Sequence, residues 1–333
     1  MPQKSEVLAS SEWLPHYYDA QGQRVQFVRL ERDKIRELTF LADYQPSGGQ
    51  DSCWLTAEEI NNESVRPGTL HFVFHTAFAR STLLTRALDM PGFSIGLSEP
   101  KILNELAIGG PKARELLKPI LRLLARPFAD GEAVVVKPSN TANGLIEEML
   151  SYNEQSRALL LTGTLESFLR SVNKKGMMGR RWVRRLFTHI MQFAPLDFGM
   201  SQSEQFEATD LQYAGLTWLL QQRQFAMLLS SNAGARMRSL DSDHFNSERE
   251  QSLSKLSTFF EIDAPPEQIR AIVEGPVFNT HAKLGGDYKS RIEIEEQGAE
   301  SSVVEEEIAL VAQWVRQVAQ MAGIDWPLAR PLL

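Results

Sequence analysis

Glu99 and Lys137 each stand where a predicted strand ends, and both can take part in proton or charge transfer. Another predicted strand runs out into His75-Thr76-Ala77-Phe78-Ala79-Arg80-Ser81-Thr82, a segment with one arginine and several hydroxyls. A further strand is followed by Thr162-Gly163-Thr164. In an open parallel sheet, ligands bind outside the carboxyl ends of the strands. A carboxylate there can accept a proton. A cation there can neutralise a departing oxygen. A helix that starts at Ser81 or Thr82 offers unpaired N–H groups and a positive dipole end to phosphate or sulfate. Together these residues read as an anion site with a general base. Each also has a structural reading. Ser81 and Thr82 can be ordinary caps, Glu99 can favour the helix start after Pro100, Lys137 can be a solvated strand end, and His75 and His281 can be turn histidines.

Bringing these residues to one edge requires strands that alternate with helices. Residues 69–75, 93–97, 133–137 and 157–161 are short apolar runs, and a further strand is predicted near 236–240. Val134, Val135 and Val136 in succession suit a strand buried on both faces. Helical patterns cover residues 81–90, 101–106, 113–125, 142–151, 165–172 and 207–230. This alternation predicts right-handed βαβ units. The expected fold is a three-layer α/β/α domain with a central, mainly parallel sheet. Val304, Ile308, Val311, Val315 and Val318 form one stripe of a last helix that Gly323 ends. Leu211, Gly215, Trp218, Phe225 and Leu229 also fall at helical spacing and read as core. Residues 1–45 hold one predicted strand, 24–30, and one helix, 33–42, set off by the Pro- and Gly-rich stretch 45–68. Residues 1–67 are therefore expected to be a small elaboration packed on a main domain of 68–333.

Composition narrows the classes. The chain has 333 residues, 43% hydrophobic and 23% charged, which excludes a collagen-like, coiled-coil or wholly disordered protein. No apolar run approaches the roughly 20 residues of a membrane span. A lone Cys53 excludes an intramolecular disulfide and a cysteine-based zinc site, and no metal is expected. The first residues show no signal-peptide pattern, so a cytoplasmic location is expected. The net charge of −7 argues against general nucleic-acid binding. Charge is uneven, however. Lys174, Lys175, Arg180, Arg181, Arg184 and Arg185 crowd one stretch, and seven glutamates without a basic residue fill 293–307. The basic run reads as a solvated helix face or as a patch for an anionic ligand.

A Walker A loop reads Gly-x-x-x-x-Gly-Lys-Ser/Thr. Here the glycine positions are His75 and Arg80 and the lysine position is Ser81, which disfavours an ordinary ATPase or GTPase. The stretch FVFHTAFARSTLLTRALD instead resembles the phosphosulfate-binding loop of sulfotransferases. It is closer still to a bacterial sulfotransferase-like group with His-Thr-x-Phe-x-x-Ser-Thr-Leu-Leu-x-Arg-Ala-Leu-Asp. GLSEPKIL resembles the family's Glu-Pro segment, VVVKP its strand-end lysine, and RALLLTGTLESFLRSVNKKG its 3′-phosphate segment. GPVFNTHAKLGGDYKSR resembles the late lysine–glycine loop that closes over the nucleotide. The resemblance spans residues 69–291 and implies that the three-layer α/β/α domain is of the P-loop, sulfotransferase type.

What it implies is transfer of a sulfuryl group from 3′-phosphoadenosine 5′-phosphosulfate to a hydroxyl or amine of a small molecule or glycan. Glu99 would be the base and Lys137 the cation on the leaving oxygen. His75, Thr76, Ala79, Arg80, Ser81, Thr82, Ser171, Lys283, Gly285 and Gly286 would hold the nucleotide. Four positions depart from the family pattern. Its basic loop residue is Phe78 here and its loop glycine is Arg80. The arginine eight residues before Ser171 is Gly163, and the histidine two after the lysine is Ser139. A kinase-like nucleotide-binding protein and a catalytically degenerate interaction protein remain as alternatives.

Overall fold

Every residue of β4 (Leu70–His75), β6 (Ala133–Lys137) and β7 (Ala158–Thr162) is buried, which is what their unbroken apolar runs require. The computed structural model describes residues 2–46, 49–61, 68–279 and 302–333. With β5 (Ser94–Ser98) and β8 (Met237–Asp241), these strands form a five-stranded sheet of order β5-β6-β4-β7-β8. All four pairings are parallel. Neighbouring residues on each strand feed different cores. Phe72, Phe74, Val134, Val136 and Leu160 join one cluster, whereas Val73, Val135, Leu159 and Leu161 join another. Helices thus cover both faces, and the expected three-layer α/β/α architecture with a parallel sheet is found.

The order places a switch point beside β4. From β4 the chain moves two places to β5 and returns to β6; it then crosses to β7 on the other side. The loops after β4, β6 and β7 therefore diverge around one crevice.

The helices that bear on this crevice and its flank are α1 (Ser81–Ala87), α2 (Leu165–Lys174), α3 (Gly176–Ile190), α4 (Asp210–Ser230) and α5 (Ser302–Met321). The predicted start of α4 at 207 moves to Asp210. Thr209 and Gln212 form a capping box there, with Thr209 N donating to Gln212 Oε1 at 2.8 Å. Gly215 lets α4 and α5 approach closely, since a Cβ built on it would lie 2.4 Å from Val315 Cγ2. On α5 the predicted stripe is buried from Ile308 to Val318, and Gly323 takes φ +64° just beyond its end. The single helix expected over 113–125 is two, Gly110–Arg114 and Leu117–Leu124. Between them Leu116 N turns back to Ala113 O at 3.0 Å, a tighter bond than a continuing helix makes.

The N-terminal region departs most from expectation. Beside the expected β2 (Arg24–Arg29), strands β1 (Trp13–Asp19) and β3 (Ser52–Thr56) complete an antiparallel sheet of order β1-β2-β3. The stretch 45–68 is therefore no mere spacer, because β3 lies within it. The predicted helix 33–42 is only Arg32–Glu37, with a short 3₁₀ turn at Leu41–Asp43. Val25, Phe27 and Leu30 share a hydrophobic cluster with Phe72, Val134 and Leu160 of the central sheet.

Candidate functional site

Parallel pairing sets Ser98 opposite Lys137, so Glu99 is the first residue past the paired ends. Its N–H donates to Lys137 O at 2.7 Å, and its own φ is +50°, a conformation that costs a non-glycine residue energy. Strain at such a position accompanies sites where direction matters. The turn leads into the contact that organises the site. Lys137 Nζ donates to Glu99 Oε1 at 2.6 Å and to Thr82 Oγ1 at 3.4 Å, and stands 4.8 Å from the centroid of the Phe40 ring. The Lys137 side chain is 0% exposed and that of Glu99 18%. Glu99 Oε2 accepts no hydrogen bond among the described residues. The pair therefore combines a fully desolvated cation with a carboxylate that stays partly exposed.

His75 closes the group from β4. Its Nε2 lies 3.9 Å from Glu99 Oε1 and 3.1 Å from Pro138 O, while Nδ1 lies 3.1 Å from Thr76 O. A neutral ring donates to only one of those two carbonyls. Asn143 Nδ2 donates to His75 O at 3.2 Å, and Ser139 Oγ donates to Asn104 Oδ1 at 2.5 Å. Thr76, Ser81 and Thr82 are buried, and Thr76 Oγ1 has no hydrogen-bond partner among the described residues.

The loop between β4 and α1 turns through two left-handed residues, Phe78 at φ +61° and Arg80 at φ +55°. Phe78 faces away from any anion role. Its ring packs edge-on against Phe168 and Trp182, at centroid distances of 5.7 and 5.4 Å. Arg80 Nη2 lies 3.9 Å from Asp243 Oδ1, with the side chain 32% exposed. Ala79 is buried against Gly163, where a Cβ would lie 3.9 Å from Ala79 Cα and 3.3 Å from Ser242 Oγ. A large side chain at Gly163 would meet this loop.

The structure thus brings His75, Thr82, Glu99 and Lys137 together. Ser171 is half-buried on α2 and Arg170 is committed to Glu305 at 2.7 Å. His281, Lys283, Gly285 and Gly286 lie outside the described residues. Trp218 is buried as expected, but its Nε1 also donates to Gly163 O at 2.9 Å. Sequence reasoning missed Phe40, Asn104 and Asn143. Phe40 carries no local signal, because its contact with Lys137 joins the N-terminal region to β6. Asn143 follows a strand end, where asparagine commonly satisfies loop carbonyls.

A cavity of about 510 Å³ opens beyond the ends of β7 and β8. Gly163, Trp218, Asp241, Arg316 and Trp326 border it, as does Gln222, whose buried Nε2 has no partner among the described residues. Among the described residues no group of His, Cys, Asp or Glu is arranged to hold a metal ion, and no helix is long and apolar enough to cross a membrane.

No protein-family model matches the chain, and no curated protein matches it. Solved structures similar to it include the sulfotransferase domain from the curacin biosynthetic pathway, at 13% identity over 79% of this chain and 100% of that one, with a TM-score of 0.44. A sulfotransferase from Alicyclobacillus acidocaldarius is 14% identical over 79% and 98% of the two chains, with a TM-score of 0.43. The sulfotransferase domain of the Synechococcus PCC 7002 olefin synthase is 12% identical over 80% and 98%, with a TM-score of 0.41.

Proposed function

We propose that this chain is a sulfotransferase that uses 3′-phosphoadenosine 5′-phosphosulfate and sulfates a hydroxyl or amine of a small molecule or glycan. The observation that carries the reading is the buried Lys137 ammonium, held between Glu99 and Thr82 at the switch point of the sheet. A cation so placed, with a carboxylate at 2.6 Å, matches what in-line group transfer needs at its two ends. The sequence resemblance over the loop, the Glu-Pro segment and the strand-end lysine supports the same assignment.

Each residue then has a defined task. Glu99 takes the proton of the acceptor O–H as its oxygen bonds to sulfur. Lys137 neutralises the bridging oxygen that leaves with the nucleotide as its bond to sulfur breaks. Thr82 and the N–H groups at the start of α1 hold the phosphosulfate, with Arg80 as the cation of the loop. His75 fixes the floor beside Glu99 by donating to one of the two carbonyls it faces, that of Thr76 or that of Pro138. The cavity by Trp218 and Gly163 lies within the range of ligand sites and is the place for the nucleoside.

Thermal denaturation with adenosine 3′,5′-bisphosphate and with Mg-ATP tests the reading. The bisphosphate at about 100 times its dissociation constant adds about 2.7 kcal/mol of stability. A shift with Mg-ATP and none with the bisphosphate would overturn it in favour of a kinase-like protein.

A further inference from the structure

α2 and α3 meet at a sharp corner, and the corner carries an unusual surface. Gly176 takes φ +56° there, and a Cβ built on it meets nothing within 4 Å, so the turn projects into open space. Immediately after it stand Met177 and Met178, with 70% and 78% of their surfaces exposed. α3 buries Gly179, Val183, Leu186 and Ile190 on its inner side. The outward side runs through Met178, Arg181 and Arg185 at helical spacing, with Lys174 and Lys175 exposed before the corner.

Five of the six basic residues of this run divide into two sets. Arg180 donates to Asn173 Oδ1 at 2.9 Å, and Arg184 is held by Asp210 at 2.5 Å and lies 4.2 Å from the Tyr213 ring centroid. Those two serve the fold. Lys175, Arg181 and Arg185 are exposed and form no ion pair among the described residues. Cations kept on the surface of an acidic protein, whose net charge is −7, are a local exception.

We propose that this corner docks the protein on an anionic lipid surface. Lys175, Arg181 and Arg185 face the headgroups, and Met177 and Met178 enter the interface between them. The methionines decide the occupant. A soluble polyanion would pair with the cations and gain nothing from two protruding thioethers. A folded protein partner would need a pocket to receive them. A bilayer interface accepts flexible apolar side chains ringed by cations without a preformed shape. Each cation near an anionic leaflet contributes about fivefold in partitioning.

Flotation of the purified full chain with vesicles distinguishes the outcomes. Phosphatidylcholine vesicles with about 30% phosphatidylserine should carry the protein, and pure phosphatidylcholine vesicles should not. High salt should weaken the association. The double variant Arg181→Gln/Arg185→Gln should bind about 25-fold more weakly. Met177→Ser/Met178→Ser should also bind more weakly at unchanged charge. All four sites are exposed, so both variants should melt as the parent does. No binding to the anionic vesicles, or equal binding to both kinds, would overturn the proposal. Full vesicle binding by the methionine variant would overturn it too, in favour of a soluble polyanion such as heparin. Bisphosphate binding should be unaltered in both variants, which keeps this test separate from the sulfotransferase reading.

Discussion

Lys137 and Arg126 are both cations withdrawn from water, and their partners differ in kind. Arg126 is 4% exposed and donates only to backbone carbonyls: Leu123 O at 2.7 Å, Val7 O and Leu8 O at 2.9 Å, and Trp13 O. Among the described residues no carboxylate offsets its burial, which pushes its pKa down to about 9. Lys137 instead faces a carboxylate, a hydroxyl and an aromatic ring. Backbone carbonyls are fixed by the fold, so the guanidinium is fully used in tying the N-terminal segment to the main body. Side-chain partners can exchange for ligand atoms, so the ammonium can be shared with a reacting group. The identity of the partners, more than the degree of burial, separates a structural cation from one suited to chemistry.

The sharpest way to break this contrast is to disarm the site without disturbing the fold. Glu99→Gln keeps size and shape but cannot accept a proton, and transfer of labelled sulfate to a panel of hydroxylated acceptors should fall by about 10²–10⁴-fold. Lys137→Met should cost about 2.7–4 kcal/mol of transition-state stabilisation. The glutamine variant should still bind the bisphosphate, since the role proposed for Glu99 is on the acceptor side. Full activity in both variants would place Lys137 beside Arg126 as a structural group.

Arg126→Met probes the other pole. Several carbonyls lose their donor at once, and each orphaned buried acceptor costs about 1–3 kcal/mol. Urea unfolding should show a loss of at least about 3 kcal/mol. A loss under about 1 kcal/mol would mean that water or a neighbour replaces the guanidinium, and the contrast with Lys137 would collapse.

How far each region could be read from the sequence follows the same division. The five central strands were legible almost to the residue, because burial on both faces leaves apolar runs such as Val134, Val135 and Val136 that nothing else explains. Glu99, Lys137 and the loop to Thr82 were legible because strand ends in a parallel sheet share one edge. β1 and β3 were not. β1 contains Pro15 and His16 and its register shifts between Pro15 and Tyr17, while β3 is five residues beside Pro- and Gly-rich chain. Arg126 gave no signal, since Val7 lies 119 residues away. Contacts of that separation are written in the fold and not in any local pattern. The left-handed turn at Arg80 was half legible: the family pattern places glycine there, and the backbone has the conformation that glycine favours.

Acid should destabilise the fold through two buried histidines. Burial pushes His71 and His16 down to about 4, with Arg157 and Lys101 adding repulsion to the charged forms. Both are neutral in the fold and take up a proton near 6.5 when unfolded. The unfolded chain therefore binds more protons between pH 6.5 and 4, and stability falls as pH drops through that window. Between pH 6.5 and 5 the loss should be about 2 kcal/mol per histidine. His71 also stacks on Phe260 at 4.7 Å and accepts from Arg157 N at 3.2 Å through Nδ1. Protonation of Nδ1 removes that acceptor. His71→Phe should flatten the pH dependence by one histidine's share; an unchanged slope would show that His71 is not the group responsible.

The smallest effect is expected at Arg80, and its two readouts should move in opposite directions. Arg80 holds φ +55° at the mouth of the loop. An L-residue in that region gives up about 1 kcal/mol relative to glycine. Its contact with Asp243, at 3.9 Å and on the surface, returns at most about 1 kcal/mol. Arg80→Gly should therefore leave the melting transition where it is or raise it slightly, by no more than about 1 kcal/mol. If Arg80 is the loop's cation, the same change should weaken binding of the bisphosphate's 5′-phosphate more than fivefold, because a charge-assisted bond to a phosphate exceeds a surface ion pair. Arg80→Lys should recover part of that affinity without recovering the backbone, since lysine carries the charge but keeps the strain. Equal affinity in all three proteins would remove Arg80 from the site and leave Lys137 as the cation on which the anion reading rests.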